Sequence, residues 1–118
     1  MATQKSVVLL VEDEKESRDT LQELLEFEGY VVKTAVNGQE ALATLNASGD
    51  QICIVLLDLF MPVMDGWQVI DQLRADGRLD KTQIVIITSA PHRAPAGLPV
   101  FQKPLDLDKV MMTVQRLC

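Results

Sequence analysis

The sequence predicts an α/β fold: a three-layer, doubly wound, five-stranded parallel sheet with helices on both faces. Two observations predict it. Short aliphatic and β-branched runs alternate with longer segments of helical period. The runs are also apolar throughout rather than alternately polar, as strands buried on both faces must be. Short connections between such units favour right-handed crossovers and parallel pairing.

Val7-Val8-Leu9-Leu10-Val11 is a solid apolar run and the first strand. The spacing predicts a helix over 14–28, with Leu21, Leu24 and Leu25 on one face and acids in its first turn, where the helix dipole favours them. Gly29 follows as its stop. Residues 30–34 read as a second strand. A second helix is predicted over 37–47, with Ala41, Leu42 and Leu45 inward and Gly49 ending it. The run 52–57 is the most apolar strand. A third helix over 67–75 turns Trp67, Ile70 and Leu73 to the core. Strands over 83–88 and 100–102 follow. A last helix over 107–117 carries Val110, Met111, Val114 and Leu117 on one side.

With 118 residues, the chain has the size of one domain. Residues 1–118 are expected to form it, with no output domain in the chain. The net charge is -6, from 17 acidic and 11 basic side chains. That balance argues against a nucleic-acid partner, which selects a basic face. No apolar stretch reaches membrane-spanning length, and the lead Met1-Ala2-Thr3-Gln4-Lys5 opens too short a run for a signal-peptide core. The start looks natural. A cytoplasmic location without membrane partners is the expectation. Two cysteines make no disulfide framework. Cys53, inside an apolar run, reads as a small buried hydrophobe, and Cys118 as a mobile end.

Open parallel sheets gather function at the carboxyl ends of their strands. There stand Glu12 and Asp13, then Asp58, then Thr88 and Ser89, then Lys103 and Pro104. Singly, each has an ordinary explanation in capping, turn formation or solvation. Asp58 is harder to explain so, since an acid directly after six apolar residues is costly to bury unpaired. Crowded carboxylates cannot all stay ionised without a cation. An all-oxygen set suits Mg²⁺ and offers no soft ligand for zinc or copper. A carboxylate beside Mg²⁺ and a lysine can attack phosphorus and form an aspartyl phosphate.

These segments resemble bacterial response-regulator receiver domains of the CheY-like kind. The resemblance rests on Val7 to Glu14, on Asp58-Leu-Phe-Met61-Pro62-Val-Met64-Asp65-Gly66, on Thr88-Ser89-Ala90 and on Lys103-Pro104. It runs from Ser6 to Leu117, and Ala35 to Leu42 also matches the family's second helix. It implies a flavodoxin-like strand order 2-1-3-4-5. It implies that Asp58 accepts a phosphoryl group from a sensor histidine kinase or a phosphotransfer protein. Asp13 would bind Mg²⁺ directly and Glu12 through water, with the backbone carbonyl of Phe60 as a further metal contact. Thr88 and Lys103 would bind the phosphoryl group, and Lys103-Pro104 would be cis. Such a protein is no conventional enzyme, though it catalyses its own Mg²⁺-dependent phosphorylation and dephosphorylation. It would act as a monomer or weak dimer on a downstream protein target.

Three departures stand out. Thr88 and Lys103 are only 15 positions apart, and four of the five prolines lie between 91 and 104. Interior proline costs a helix about 3 kcal/mol, so the family's fourth helix is expected to be a loop or one turn. The family's switch aromatic is replaced by Val100, while Phe101 should face the other side of its strand. His92, in that loop, reads as a solvated residue. Phe60 and Ala90 are apolar where the family can place water-orienting polar groups, which predicts slow self-dephosphorylation. The competing reading is a scaffold of receiver fold that is never phosphorylated. A flavin carrier of similar topology fits poorly, because Glu12-Asp13-Glu14 would repel its phosphate. No Gly-x-Gly-x-x-Gly or Walker segment occurs.

Overall fold

Why the chain folds into alternating layers is visible in its side-chain periods, and the computed structural model follows them. It describes residues 6–118; the lead Met1 to Lys5 lies outside them. The elements are β1 (Val7–Val11), α1 (Lys15–Phe27), β2 (Val31–Ala35), α2 (Gly38–Ser48), β3 (Ile52–Asp58), α3 (Gly66–Ala75), β4 (Ile84–Thr88), β5 (Val100–Gln102) and α4 (Leu107–Leu117). The sheet order is β2-β1-β3-β4-β5, and every pairing is parallel. The expected architecture and order are therefore the observed ones.

The strands' period of two divides the core. Leu9, Val11, Val55, Leu57, Ile84 and Ile86 face α2 and α3, meeting Ala41, Leu45, Val69, Ile70 and Leu73. Val8, Leu10, Ile54, Leu56, Val85 and Ile87 face α1 and α4, meeting Leu21, Leu25, Val110, Met111 and Val114. Caps set the helix starts. The Asn37 side chain accepts from the Glu40 N–H at 2.9 Å, and Asp106 accepts from the Lys109 N–H at 3.2 Å. Asp65 and Gln68 exchange a reciprocal capping box at the start of α3.

Boundaries differ from the sequence reading in instructive places. β2 starts at Val31, because the Tyr30 N–H still closes α1 on the Leu25 carbonyl at 3.1 Å. Gly49 does end α2 as its C-cap, but at φ -56° the chain continues right-handed into a 3₁₀ turn, Gly49–Gln51. Asp58 does not follow β3 but ends it, in register with Ile87. Between β4 and β5 the expected loss of a helix holds. One 3₁₀ turn, Pro91–Arg93, is all that forms, and Ala94 and Leu98 pack the segment onto the α2–α3 side of the core. Val100 joins that same side and Phe101 the other.

The reading of the cysteines is corrected. Cys53 and Cys118 form a disulfide, with Cα atoms 5.9 Å apart. Their separation of 65 positions hides this, since only the packed sheet brings the start of β3 under the last turn of α4. The Gln83 Nε2–H group reinforces the junction, donating to the Leu117 carbonyl at 2.8 Å and the Cys53 carbonyl at 3.3 Å. Among the described residues, no helix is long and apolar enough to cross a membrane.

Candidate functional site

The parallel sheet delivers the carboxyl ends of β1, β3, β4 and β5 to one edge, and five of the expected side chains meet or adjoin there. Glu12 follows β1 and is fully buried; its N–H donates to the Ala35 carbonyl at 3.0 Å, which fixes it at the head of the sheet. Asp13, next in the chain, is exposed. Asp58 closes β3 and is buried. Oxygen atoms of all three carboxylates come within 4.8 Å of one another.

Lys103 enters from the end of β5. Its Nζ donates to Glu12 Oε1 at 2.6 Å and to Asp58 Oδ2 at 3.2 Å. The other Asp58 oxygen, Oδ1, accepts from the Phe60 N–H at 3.3 Å. The Lys103-Pro104 peptide is cis, as the resemblance implied. Thr88 is buried at the end of β4, but its hydroxyl oxygen accepts from the Ala90 N–H at 3.1 Å rather than meeting a carboxylate. The structure thus joins Glu12, Asp13, Asp58 and Lys103 directly, and sets Thr88 beside them in the next strand.

The electrostatics show that one lysine does not balance the cluster. Burial is the largest influence on the Glu12 carboxyl, and with the neighbouring Asp58 it raises the group above its ordinary value; Lys103 only partly opposes this. Asp13, though exposed, is also raised, by partial desolvation of its carboxyl and then by Glu12. Burial alone would lower the Lys103 ammonium, but the bond to Glu12 and the charges of Asp58 and Glu12 outweigh it, and the group is raised. The signs have opposite meanings at neutral pH. The raised Lys103 contributes stability below 10.5 that is lost as pH climbs through its higher folded value. The raised Glu12 favours the fold fully below 4.5, and that contribution is lost as pH climbs through its higher folded value and the group ionises. A hard cation would relieve this crowding. The donors are all oxygens, two buried and one open to solvent, which suits an ion that keeps several waters.

Local sequence explains how the loop after Asp58 can approach so closely. A Cβ on Gly66 would lie 2.6 Å from the Asp58 carbonyl oxygen and 2.8 Å from the Leu59 Cα, so only glycine lets α3 start there. The Gly66 N–H donates to the Leu59 carbonyl at 2.9 Å. Val63 is an exposed β-branched residue at φ 69°, and the Met64 N–H reaches the Pro62 carbonyl at 2.7 Å across it. That tight turn is strained for valine. It aims the Met64 carbonyl at the Gly38 N–H, 2.8 Å away, and so ties the loop to α2. Met61-Pro62 and Asp65-Gly66 therefore shape the loop and the helix start, beyond simple turn formation.

Sequence reasoning missed three participants. Arg18 Nη1 donates to the backbone carbonyls of Glu12 at 3.0 Å and Asp13 at 3.2 Å, holding the acidic corner from α1. The helical period of α3 marks Trp67 only as a core residue, and no motif marks Arg93. Yet the Arg93 guanidinium lies over both Phe60 and Trp67, at 5.3 and 4.8 Å. A helix period could have hinted at Arg18; nothing in the sequence announces the Arg93 contact. His92 is exposed, as expected.

The fold and the sequence both have known counterparts. The family model described as the response regulator receiver domain matches residues 8–114. Response regulator MprA of Mycolicibacterium vanbaalenii is 34% identical over 118 residues, spanning 93% of this chain and 49% of that protein. Transcriptional regulatory protein CpxR of Escherichia coli K12 is 39% identical over 82 residues, 70% of this chain and 33% of that protein. The chain therefore spans about half or less of the curated relatives it matches. Among solved structures, the response regulator TrrA of Thermotoga maritima, in complex with Mg²⁺ and BeF, superposes with a TM-score of 0.83 at 29% identity, covering 98% of this chain and 100% of that one. The receiver domain of the hybrid histidine kinase CckA superposes with a TM-score of 0.81 at 28% identity, covering 94% and 97%.

Proposed function

The chain belongs to the response regulator receiver domain family of two-component systems, and from that premise we propose that it accepts a phosphoryl group on Asp58 from a histidine kinase or phosphotransfer protein. The observation that carries this reading is the Lys103 ammonium bridging buried Glu12 and Asp58, with Asp13 alongside. The Asp58 carboxylate attacks the phosphorus of a phosphohistidine. The P–N bond breaks as the new O–P bond forms, and the imidazole leaves with the electron pair. Lys103 and the Thr88 hydroxyl stabilise charge on the phosphoryl oxygens. Glu12, Asp13, Asp58 and the Phe60 carbonyl would hold Mg²⁺, which when bound neutralises the carboxylates and draws charge from the phosphoryl group.

The donor's seat is the groove between α1 and the segment after β5, where Ser17, Thr20 and Leu21 face Lys103, Pro104 and Leu105. Phosphoryl groups drawn from ATP place the reaction in the cytoplasm, and output passes to a downstream protein rather than to nucleic acid or membrane. The protein works there as a monomer or weak dimer. Cytoplasmic thiols are kept mostly reduced, so the Cys53–Cys118 bond marks the oxidised form of the domain. The scaffold reading keeps one observation in its favour, the helix missing between β4 and β5. Intact mass after incubation with Mg²⁺ and acetyl phosphate separates the two. One phosphoryl adduct supports the receiver reading, and none under any condition supports the scaffold.

Two further outcomes are expected. Mg²⁺ should raise the unfolding midpoint of the wild type. At a hundredfold excess over its Kd the gain is about 2.7 kcal/mol, and Asp13→Asn should lose most of it. An equal gain in the variant would remove Asp13 from the metal site. Phe60→Asn should shorten the life of the Asp58 phosphoryl adduct, since it replaces a bulky apolar ring with a group able to orient water. An unchanged decay rate would sink the steric explanation.

A further inference from the structure

The segment that replaces the fourth helix is gripped at the mouth of the site through Arg93. Phe60 and Trp67 meet edge to face, with ring centroids 5.2 Å apart and planes at 80°. Arg93 lies over both rings, 5.3 Å from the Phe60 centroid and 4.8 Å from the Trp67 ring. The Trp67 Nε1–H donates to the Arg93 carbonyl at 2.9 Å, so the aromatic pair holds this residue by side chain and backbone together. Among the described residues Arg93 makes no ion pair. Its place is set by the rings.

Both ends of this grip reach atoms of the phosphoacceptor site. Phe60 is tied by its N–H to Asp58 Oδ1. The Arg93 N–H donates to the Ala90 carbonyl at 3.0 Å, and the Ala90 N–H donates to the Thr88 hydroxyl oxygen at 3.1 Å. Asp58, Phe60, Arg93, Ala90 and Thr88 therefore form a continuous rim. With prolines at 91, 95 and 99, the segment's own helical hydrogen bonding is limited to the single 3₁₀ turn Pro91–Arg93.

We infer that Arg93 is a positioning residue of the phosphoacceptor site: gripping Phe60 and Trp67, it keeps the Phe60 ring and the Pro91–Arg93 turn closed beside Asp58 and restricts water there. The inference rests on the phosphoacceptor reading above. Hydrolysis forms a bond from water oxygen to phosphorus and breaks the P–O bond to Asp58. The carboxylate is restored, and the water protons leave with inorganic phosphate or solvent. Arg93 touches none of these atoms; it acts through Phe60.

The test loads the protein with acetyl phosphate and Mg²⁺, removes the donor, and follows loss of the adduct by intact mass. Arg93→Ala should decay faster by about fivefold, as expected from losing a cation held on two rings. Arg93→Lys should fall between, because it keeps the charge but not the planar group. On a Phe60→Ala background, Arg93→Ala should add little, since the two residues act as one unit. Emission from Trp67, the single tryptophan, should change in Arg93→Ala before any phosphodonor is added. A normal adduct with wild-type decay in Arg93→Ala, or unchanged emission, overturns the inference alone. Equal acceleration with and without Phe60 overturns the route through that ring. No adduct on the wild type overturns the phosphoacceptor reading and this inference with it.

Discussion

Asp58→Asn should take up no phosphoryl group from acetyl phosphate or a histidine kinase while remaining folded. The substitution is nearly isosteric, and the amide oxygen can still accept from the Phe60 N–H. It also removes one of the two carboxylates competing for Lys103, leaving Glu12 with its 2.6 Å partner. The fold therefore keeps its buried ion pair, and what disappears is the nucleophile. Lys103→Met should behave differently. It strands Glu12, whose side chain is 1% exposed, against Asp58 with no cation between them. Removing one partner of such a buried pair destabilises by about 3 kcal/mol or more. Intact mass and urea unfolding on the three proteins check both statements. A full adduct on Asp58→Asn would move the acceptor elsewhere, and a Lys103→Met protein as stable as wild type would show that Glu12 is neutral or hydrated.

Breaking the Cys53–Cys118 bond should cost a large share of the domain's stability. The bond closes a loop of 65 positions, and the chain-entropy account gives roughly 4 kcal/mol for that length. The native state should change little. α4 keeps its buried stripe of Val110, Met111 and Val114, and Gln83 still spans Cys53 and Leu117. The loss is thus one of constraint on the unfolded chain, with fraying confined to the last turn of α4. Denaturant unfolding with and without dithiothreitol, and of Cys53→Ser, measures it. Two free thiols in the protein purified and held under oxidising conditions, or equal stability with and without reductant, would contradict the bond.

The sequence by itself determined the layers, the parallel sheet and the edge on which chemistry gathers. The reason is that periodicity is a local property: apolar runs such as 52–57 must be strands buried on both faces, and helical stripes such as 107–117 must cover them. Glu12, Asp13, Asp58, Thr88 and Lys103 were legible for the same reason, since each stands where a strand ends. The prolines likewise announced the missing helix, because their effect on backbone geometry needs no partner. Pairings across the fold were not legible. Only the tertiary structure decided that Lys103 bridges Glu12 and Asp58, that Arg93 rests on Phe60 and Trp67, and that Cys53 meets Cys118. Each of these joins residues whose approach is set by how the elements stack, and that information resides in the packing rather than in any stretch of chain.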